Sequence, residues 1–310
     1  MFSLYLQGLD DLLREGLGRF GPAFVAAQTR FVLARQTLEG GFRGRRGGAD
    51  PYYTDFALRL LTAAGAPRET LRGAADYLRS LPPMPRDLVD CFSRLNTARL
   101  LAMAGVAPET DPEAIGTVLW SQALAGGGFA RPGAEAVSAY HTFLGALCCE
   151  MLGVEFPEAA GTVERIRAVR CPDGGYADLP GSRWGQTSAT AAAVGFLLSQ
   201  HALARDERAQ ASGFLTAMQA PDGGFLAHAQ APQSDLLSTF TALFALATLD
   251  ALGRVNLGAA ARFVRELAEP EGGFRGTRSD PEADTEYTYY GVGSLCLLSL
   301  TAEKCPQNLI

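Results

Sequence analysis

A pair of glycines followed by an aromatic residue occurs five times in this chain, and its spacing constrains the fold more than any other feature. The tag stands at Gly40-Gly41-Phe42, Gly127-Gly128-Phe129, Gly174-Gly175-Tyr176, Gly223-Gly224-Phe225 and Gly272-Gly273-Phe274, so successive aromatics lie 87, 47, 49 and 49 residues apart. The first gap is close to two periods. It predicts a tagless unit near Leu81-Pro82-Pro83-Met84-Pro85, and six units in all. In each unit a helical pattern runs into the tag, a polar loop follows, and a more apolar helix begins near Asp50, Asp87, Val137, Gly185, Asp235 or Asp284. Asp50-Pro51 supplies an N-cap followed by a proline in the first turn, as does Asp111-Pro112 for an earlier helix.

The second helices of the units, such as the one opening at Thr187 or Thr239, are apolar on nearly every side and belong in a buried layer. The first helices, such as the one opening at Arg205, are amphipathic and belong outside it. Six hairpins with the apolar set inside predict an all-α closed double ring, an (α/α)6 toroid with a central cavity. An open solenoid would leave its apolar helices with an exposed edge. The whole chain, residues 1–310, reads as one domain, with a short helix near Ser3–Glu15 ahead of the ring.

Composition removes several function classes. With 27 basic against 33 acidic residues there is no electrostatic case for nucleic acid. No apolar run is long enough to span a membrane. The opening residues carry acids where a secretion signal needs a basic head, and the six cysteines show no paired spacing, so a reduced, cytoplasmic chain is expected.

The repeated tag resembles that of the prenyltransferase and squalene-cyclase repeat family, over residues 20–301. Two units are similar to the β-subunits of protein farnesyl- and geranylgeranyltransferases: Tyr140-His141-Thr142 follows the third tag, and Val89-Asp90-Cys91-Phe92-Ser93 stands in the unit before it. The resemblance implies an isoprenoid diphosphate held in the barrel and a prenyl group transferred to a thiol of a peptide or protein. It also implies a catalytic zinc on Cys91 and His141, with Asp90 completing the metal set. The family's aspartate lies two residues before the cysteine, where this chain has Val89. The eukaryotic members work with a separate helical α-subunit; no such module is encoded here, so such a partner would be a separate chain.

The last unit follows the same template, with Asp284 at the family's aspartate, Glu286 at its cysteine and a catalytic role for Tyr287 at its tyrosine. Ring closure would bring Asp284 and Glu286 beside Asp50 and Asp55, a carboxylate cluster suited to a Mg²⁺–diphosphate or to an acid in cyclisation. By resemblance, Arg45 and Arg86 contact the diphosphate. Tyr52, Tyr53, Tyr140, Trp184, Phe143 and Tyr287 fall near inner-helix starts, where they would form an aromatic wall. Two alternatives stand beside transfer. One is a terpene cyclase, although neither Asp-x-Asp-Asp nor Asp-Asp-x-x-Asp occurs. The other is a non-catalytic barrel that binds lipid or peptide.

Overall fold

A computed structural model describes residues 2–107 and 110–304; Cys305 lies outside them. Among the described residues there are thirteen α-helices and only isolated β-bridges. Helix α1 (Phe2–Leu17) precedes six hairpins: α2 (Pro22–Leu33) with α3 (Pro51–Ala63), α4 (Arg68–Ser80) with α5 (Leu88–Met103), α6 (Pro112–Ser121) with α7 (Ala139–Leu152), α8 (Ala159–Ala168) with α9 (Thr187–Ser199), α10 (Arg205–Ala217) with α11 (Leu236–Thr248), and α12 (Leu257–Glu266) with α13 (Thr285–Lys304). The second helix of each hairpin packs against the next such helix, α3 on α5 through to α13 on α3. The inner ring is therefore closed, and the expected all-α toroid is the observed fold.

The tag joins one hairpin to the next through its first glycine. At Gly223, φ is +93°, and a Cβ would stand 2.2 Å from the Ala259 carbonyl oxygen of α12. At Gly272, with φ +104°, a Cβ would meet the Ala27 carbonyl oxygen of α2 at 2.4 Å, so the last tag docks on the first hairpin. Only glycine combines that backbone with that approach. The same seam is closed by Gln28, whose Oε1 accepts from the Gly273 N–H at 2.8 Å, and by Arg35, which donates to the Ala283 carbonyl at 3.1 Å.

The tag's aromatic side chain is fully buried in each case. Its backbone N–H donates to a threonine hydroxyl on the following inner helix: Phe42 to Thr54, Phe129 to Thr142, Tyr176 to Thr190, Phe225 to Thr239 and Phe274 to Thr288, at 2.8–3.1 Å. A buried N–H left without such a partner costs about 1–3 kcal/mol, which accounts for a threonine at each of these places.

Helix α1 sits inside the ring rather than on its outer surface. It packs on α13, α3 and α7, burying Leu6, Leu9, Leu13 and Leu17 along one face. Asp10 pairs with Arg99 of α5 at 2.6 Å. A Cβ on Gly16 would stand 2.2 Å from Cβ of Cys296, so α1 crosses α13 in close contact. The spacing of its leucines shows an amphipathic helix; nothing in the sequence says that its apolar face fills the middle of the toroid.

Candidate functional site: the central cavity

The helix caps set the register of the site. Asp50, Asp87, Ser138 and Asp235 each precede an inner helix and accept a backbone N–H from its first turn, and Asp284 does the same before α13, at 2.7–3.1 Å. Counting from these five caps, and from Gln186 before α9, the second helical residues are Tyr52, Val89, Tyr140, Ser188, Leu237 and Glu286. All six line the interior of the ring. The fourth residues are Thr54, Cys91, Thr142, Thr190, Thr239 and Thr288, of which the five threonines support the tags. Two residues along a helix is a rotation of about 200°, so the two columns face opposite ways.

The cavity has a volume of about 480 Å³ and opens where the inner helices begin. That is within the roughly 300–1,000 Å³ of small-molecule sites. Its walls carry Tyr5 of α1, Tyr52, Tyr140, Phe143 and Tyr290, with alanines of α9 opposite. A second, deeper chamber of about 130 Å³ lies beyond the same aromatics, floored by Leu6 and Leu9 and lined by Val89, Phe92 and Phe240. Asp55 and Arg59 also reach this chamber, tied to each other at 2.6 Å, with Asn96 donating to Asp55.

Glu286 lies among these rings. It accepts from the Tyr52 hydroxyl at 2.7 Å. Burial pushes its carboxyl above the usual carboxylate range, against the pull of the Tyr52 and Tyr290 hydroxyls, and the charge of Asp284 adds to the rise. Asp284 is a cap rather than a cavity group. Burial raises its carboxyl too, opposed by the Tyr287 N–H and by Arg45, which binds it at 3.0 Å.

The zinc reading does not fit this arrangement. Cys91 is fully buried and its Sγ points to the Ile115 carbonyl of outer helix α6 at 3.8 Å. Burial first, and the charge of Asp90 second, push its thiol up to about 12, away from the thiolate a metal needs. Asp90 is held by Arg94 through both oxygens, at 2.9 and 3.1 Å, and by Arg86. His141 places Nδ1 3.0 Å from the Ser138 hydroxyl, which donates to Asp178 at 2.7 Å. Among the described residues no three His, Cys, Asp or Glu side chains converge in a way that could hold a metal ion. The carboxylates expected to gather around Mg²⁺ are likewise dispersed: Asp50 on Arg86, Asp55 on Arg59, Asp284 on Arg45, Glu286 on Tyr52.

The remaining expected residues divide between cavity and rim. Tyr52 and Tyr140 are in the wall. Arg45 bridges Asp280 and Asp284 and lies over the Tyr287 ring at 5.6 Å, while the Tyr53 ring packs under Gly44, so these form the rim at the α3–α13 seam. Arg86 sits outside, 62% exposed, on Asp50. Trp184 is 48% exposed in the loop before α9, away from the cavity walls. Sequence reasoning missed Tyr5, Tyr290 and the pair Arg131–Asp178, joined at 3.0 Å on the cavity's edge. It also placed Glu286 opposite Cys91. The caps place it opposite Val89, and Cys91 opposite Thr288. The signal was present as threonines 12 to 14 residues beyond each tag aromatic.

Among solved structures the chain is similar to Candida albicans protein geranylgeranyltransferase-I complexed with GGPP: 12% identity, 90% of this chain and 92% of that one covered, TM-score 0.69. It is also similar to a variant of the type II terpene cyclase MstE from Scytonema in complex with its substrate geranylgeranyl dihydroxybenzoate, at 15% identity, 95% and 99% coverage and TM-score 0.62. The alpha-1,6-mannanase from Salegentibacter matches at 14% identity, 94% and 98% coverage and TM-score 0.61. At these identities the likeness concerns the fold, and the mannanase shows the same toroid carrying another chemistry. No curated protein sequence matches. The model of the prenyltransferase alpha-alpha toroid domain matches residues 22–155 and again 138–310. Through the tags, the closed ring and these matches, the chain belongs to the prenyltransferase alpha-alpha toroid family.

Proposed function

We propose that this protein is an enzyme that binds an isoprenoid chain in the central cavity and cyclises it by protonation, with Glu286 as the acid. The observation that carries the reading is a half-buried carboxyl group, hydrogen-bonded to Tyr52 and with its titration raised by desolvation, facing an aromatic cavity. A neutral carboxylic acid is the form able to give a proton to an alkene. Proton transfer from Glu286 to a terminal alkene carbon leaves a carbocation on the adjacent carbon. A second alkene of the same chain then attacks it, forming a carbon–carbon bond. Loss of a proton to water discharges the final cation. The Tyr52 and Tyr290 hydroxyls stabilise the carboxylate left behind, and the rings of Tyr140 and Phe143 face the cation.

An isoprenoid diphosphate suits this reading as a substrate that keeps its head group. The family membership and the GGPP held by the Candida relative support that class of ligand. At the rim, Arg45 and Arg131 each stand with a carboxylate partner that a diphosphate would share or displace. Zinc-assisted transfer to a thiol lacks its ligands in this geometry, and no step is derived through a metal.

The test is incubation of purified protein with farnesyl diphosphate and geranylgeranyl diphosphate, with and without a cysteine-bearing peptide, followed by mass spectrometry and a pyrophosphate assay. Cyclisation by protonation gives a product isomeric with the substrate and releases no pyrophosphate. A prenylated peptide with stoichiometric pyrophosphate would overturn the reading.

A further inference from the structure

The cavity wall has one component that does not belong to the ring. Tyr5 of α1 lines both the 480 Å³ cavity and the 130 Å³ chamber behind it, as do Tyr52, Tyr140, Phe143 and Tyr290 of the inner helices. These five rings form the partition between the two spaces. Leu6 and Leu9 of α1 line the deeper chamber and not the 480 Å³ cavity. The Tyr5 ring is held edge-on by Phe143 at 5.1 Å (interplanar angle 79°) and by Phe244 at 5.4 Å (81°), one from α7 and one from α11. Such T-shaped contacts on two sides fix its orientation. The helix itself is seated by its buried leucines and by the Asp10–Arg99 ion pair.

We propose that Tyr5 is the chain-length stop of the isoprenoid site. This rests on the cavity being an isoprenoid site. An apolar chain entering past Glu286 runs down the 480 Å³ space until it meets the Tyr5 ring, and the chamber beyond stays empty while that ring is in place. The four partner rings belong to inner helices that also hold up the toroid. Tyr5 is the one member of the partition that can be shortened without touching the closed ring. Removing its ring joins the cavity to a chamber lined by Leu6, Leu9, Val89, Phe92 and Phe240 beside the paired Asp55 and Arg59, a mostly apolar surface for further isoprene carbons. Length discrimination of this kind is set by whether extra carbons find apolar surface or a steric wall, and is about tenfold or more even for small additions.

The experiment uses the full chain and a series of prenyl alcohols from geraniol through farnesol and geranylgeraniol to geranylfarnesol. Binding is read by titration calorimetry for wild type, Tyr5→Phe, Tyr5→Leu and Tyr5→Ala, with circular dichroism confirming the fold of each. Tyr5→Phe keeps the wild-type length preference. Tyr5→Ala and Tyr5→Leu move the preferred chain up by at least one isoprene unit and change the longer-to-shorter affinity ratio by about tenfold or more; Tyr5→Leu carries the result if the alanine variant unfolds. An unchanged preference in a folded variant overturns the stop while leaving the cavity's function standing. Absence of binding of any alcohol to the wild type overturns the isoprenoid reading itself, and the stop with it.

Discussion

The second and sixth hairpins begin their inner helices with the same device, an aspartate cap at Asp87 and at Asp284, yet they serve the molecule differently. In the sixth, the second helical residue is Glu286 and reaches the cavity, while Thr288 holds the N–H of tag residue Phe274 at 3.1 Å. In the second hairpin the tag is missing, the cavity residue is Val89, and the threonine is replaced by Cys91 with its Sγ turned to α6. A titratable side chain thus faces the cavity in one column of the helix and the packing between layers two residues later. Residue type alone does not reveal which; the cap does.

The comparison can be broken most severely where the sixth hairpin meets the first. Gly272→Ala puts a Cβ 2.4 Å from the Ala27 carbonyl at φ +104°, and the strained backbone alone costs on the order of 1–3 kcal/mol before any displacement of α2. Chemical denaturation of this variant is expected to show a lower midpoint and a lost or broadened single transition. Equal stability to wild type would mean that the seam does not depend on the tag.

The threonine column is the next point of attack. Thr239→Val keeps the shape and strands the Phe225 N–H, now held at 3.0 Å, so a loss of about 1–3 kcal/mol is expected in urea melts. Cys91→Thr in the tagless unit has no such N–H to serve and should bring no comparable gain. If Thr239→Val proves neutral, the column is not what fixes the register.

Two titrations sharpen the contrast further. Glu286 has its folded-state value raised, chiefly by burial. Its contribution to stability is therefore present at low pH and is lost as pH rises through the folded value. Glu286→Gln should accordingly gain thermal stability relative to wild type toward alkaline pH and lose that advantage in acid. His141 behaves in the opposite sense. Burial lowers it below its usual value near 6.5, against the charge of Asp178, so stability is present above that value and falls as pH drops through the folded one. The difference in melting temperature between wild type and His141→Asn should shrink from pH 7 to pH 5. A constant difference would show that His141 is not buried in its neutral form.

Much of this architecture was legible before any coordinates. The tags gave the period, and inner-helix starts read near Asp50, Asp87 and Asp235 fall one residue before the helices at Pro51, Leu88 and Leu236. The toroid followed because six all-apolar helices need cover on every side. The site was less legible, for two physical reasons. Matching Asp284-Thr285-Glu286 to a cysteine motif slid the register by two residues, about 200° of helix, which is the difference between cavity and packing layer. The place of α1 was hidden because an amphipathic helix states that one face is buried and not what buries it. Tyr5 consequently entered the cavity wall unannounced, whereas Tyr52 and Tyr140, tied to the repeat, could be anticipated.

The central claim is that chemistry sits at the α3–α13 seam and not at the cysteine of the second hairpin. The direct test is turnover of geranylgeranyl diphosphate by Glu286→Gln and Cys91→Ala side by side, with ligand binding measured on both. The geometry predicts that Glu286→Gln binds the substrate and loses about a hundredfold or more in kcat, while Cys91→Ala turns over like wild type. Loss of turnover in Cys91→Ala, together with full activity in Glu286→Gln, would contradict it.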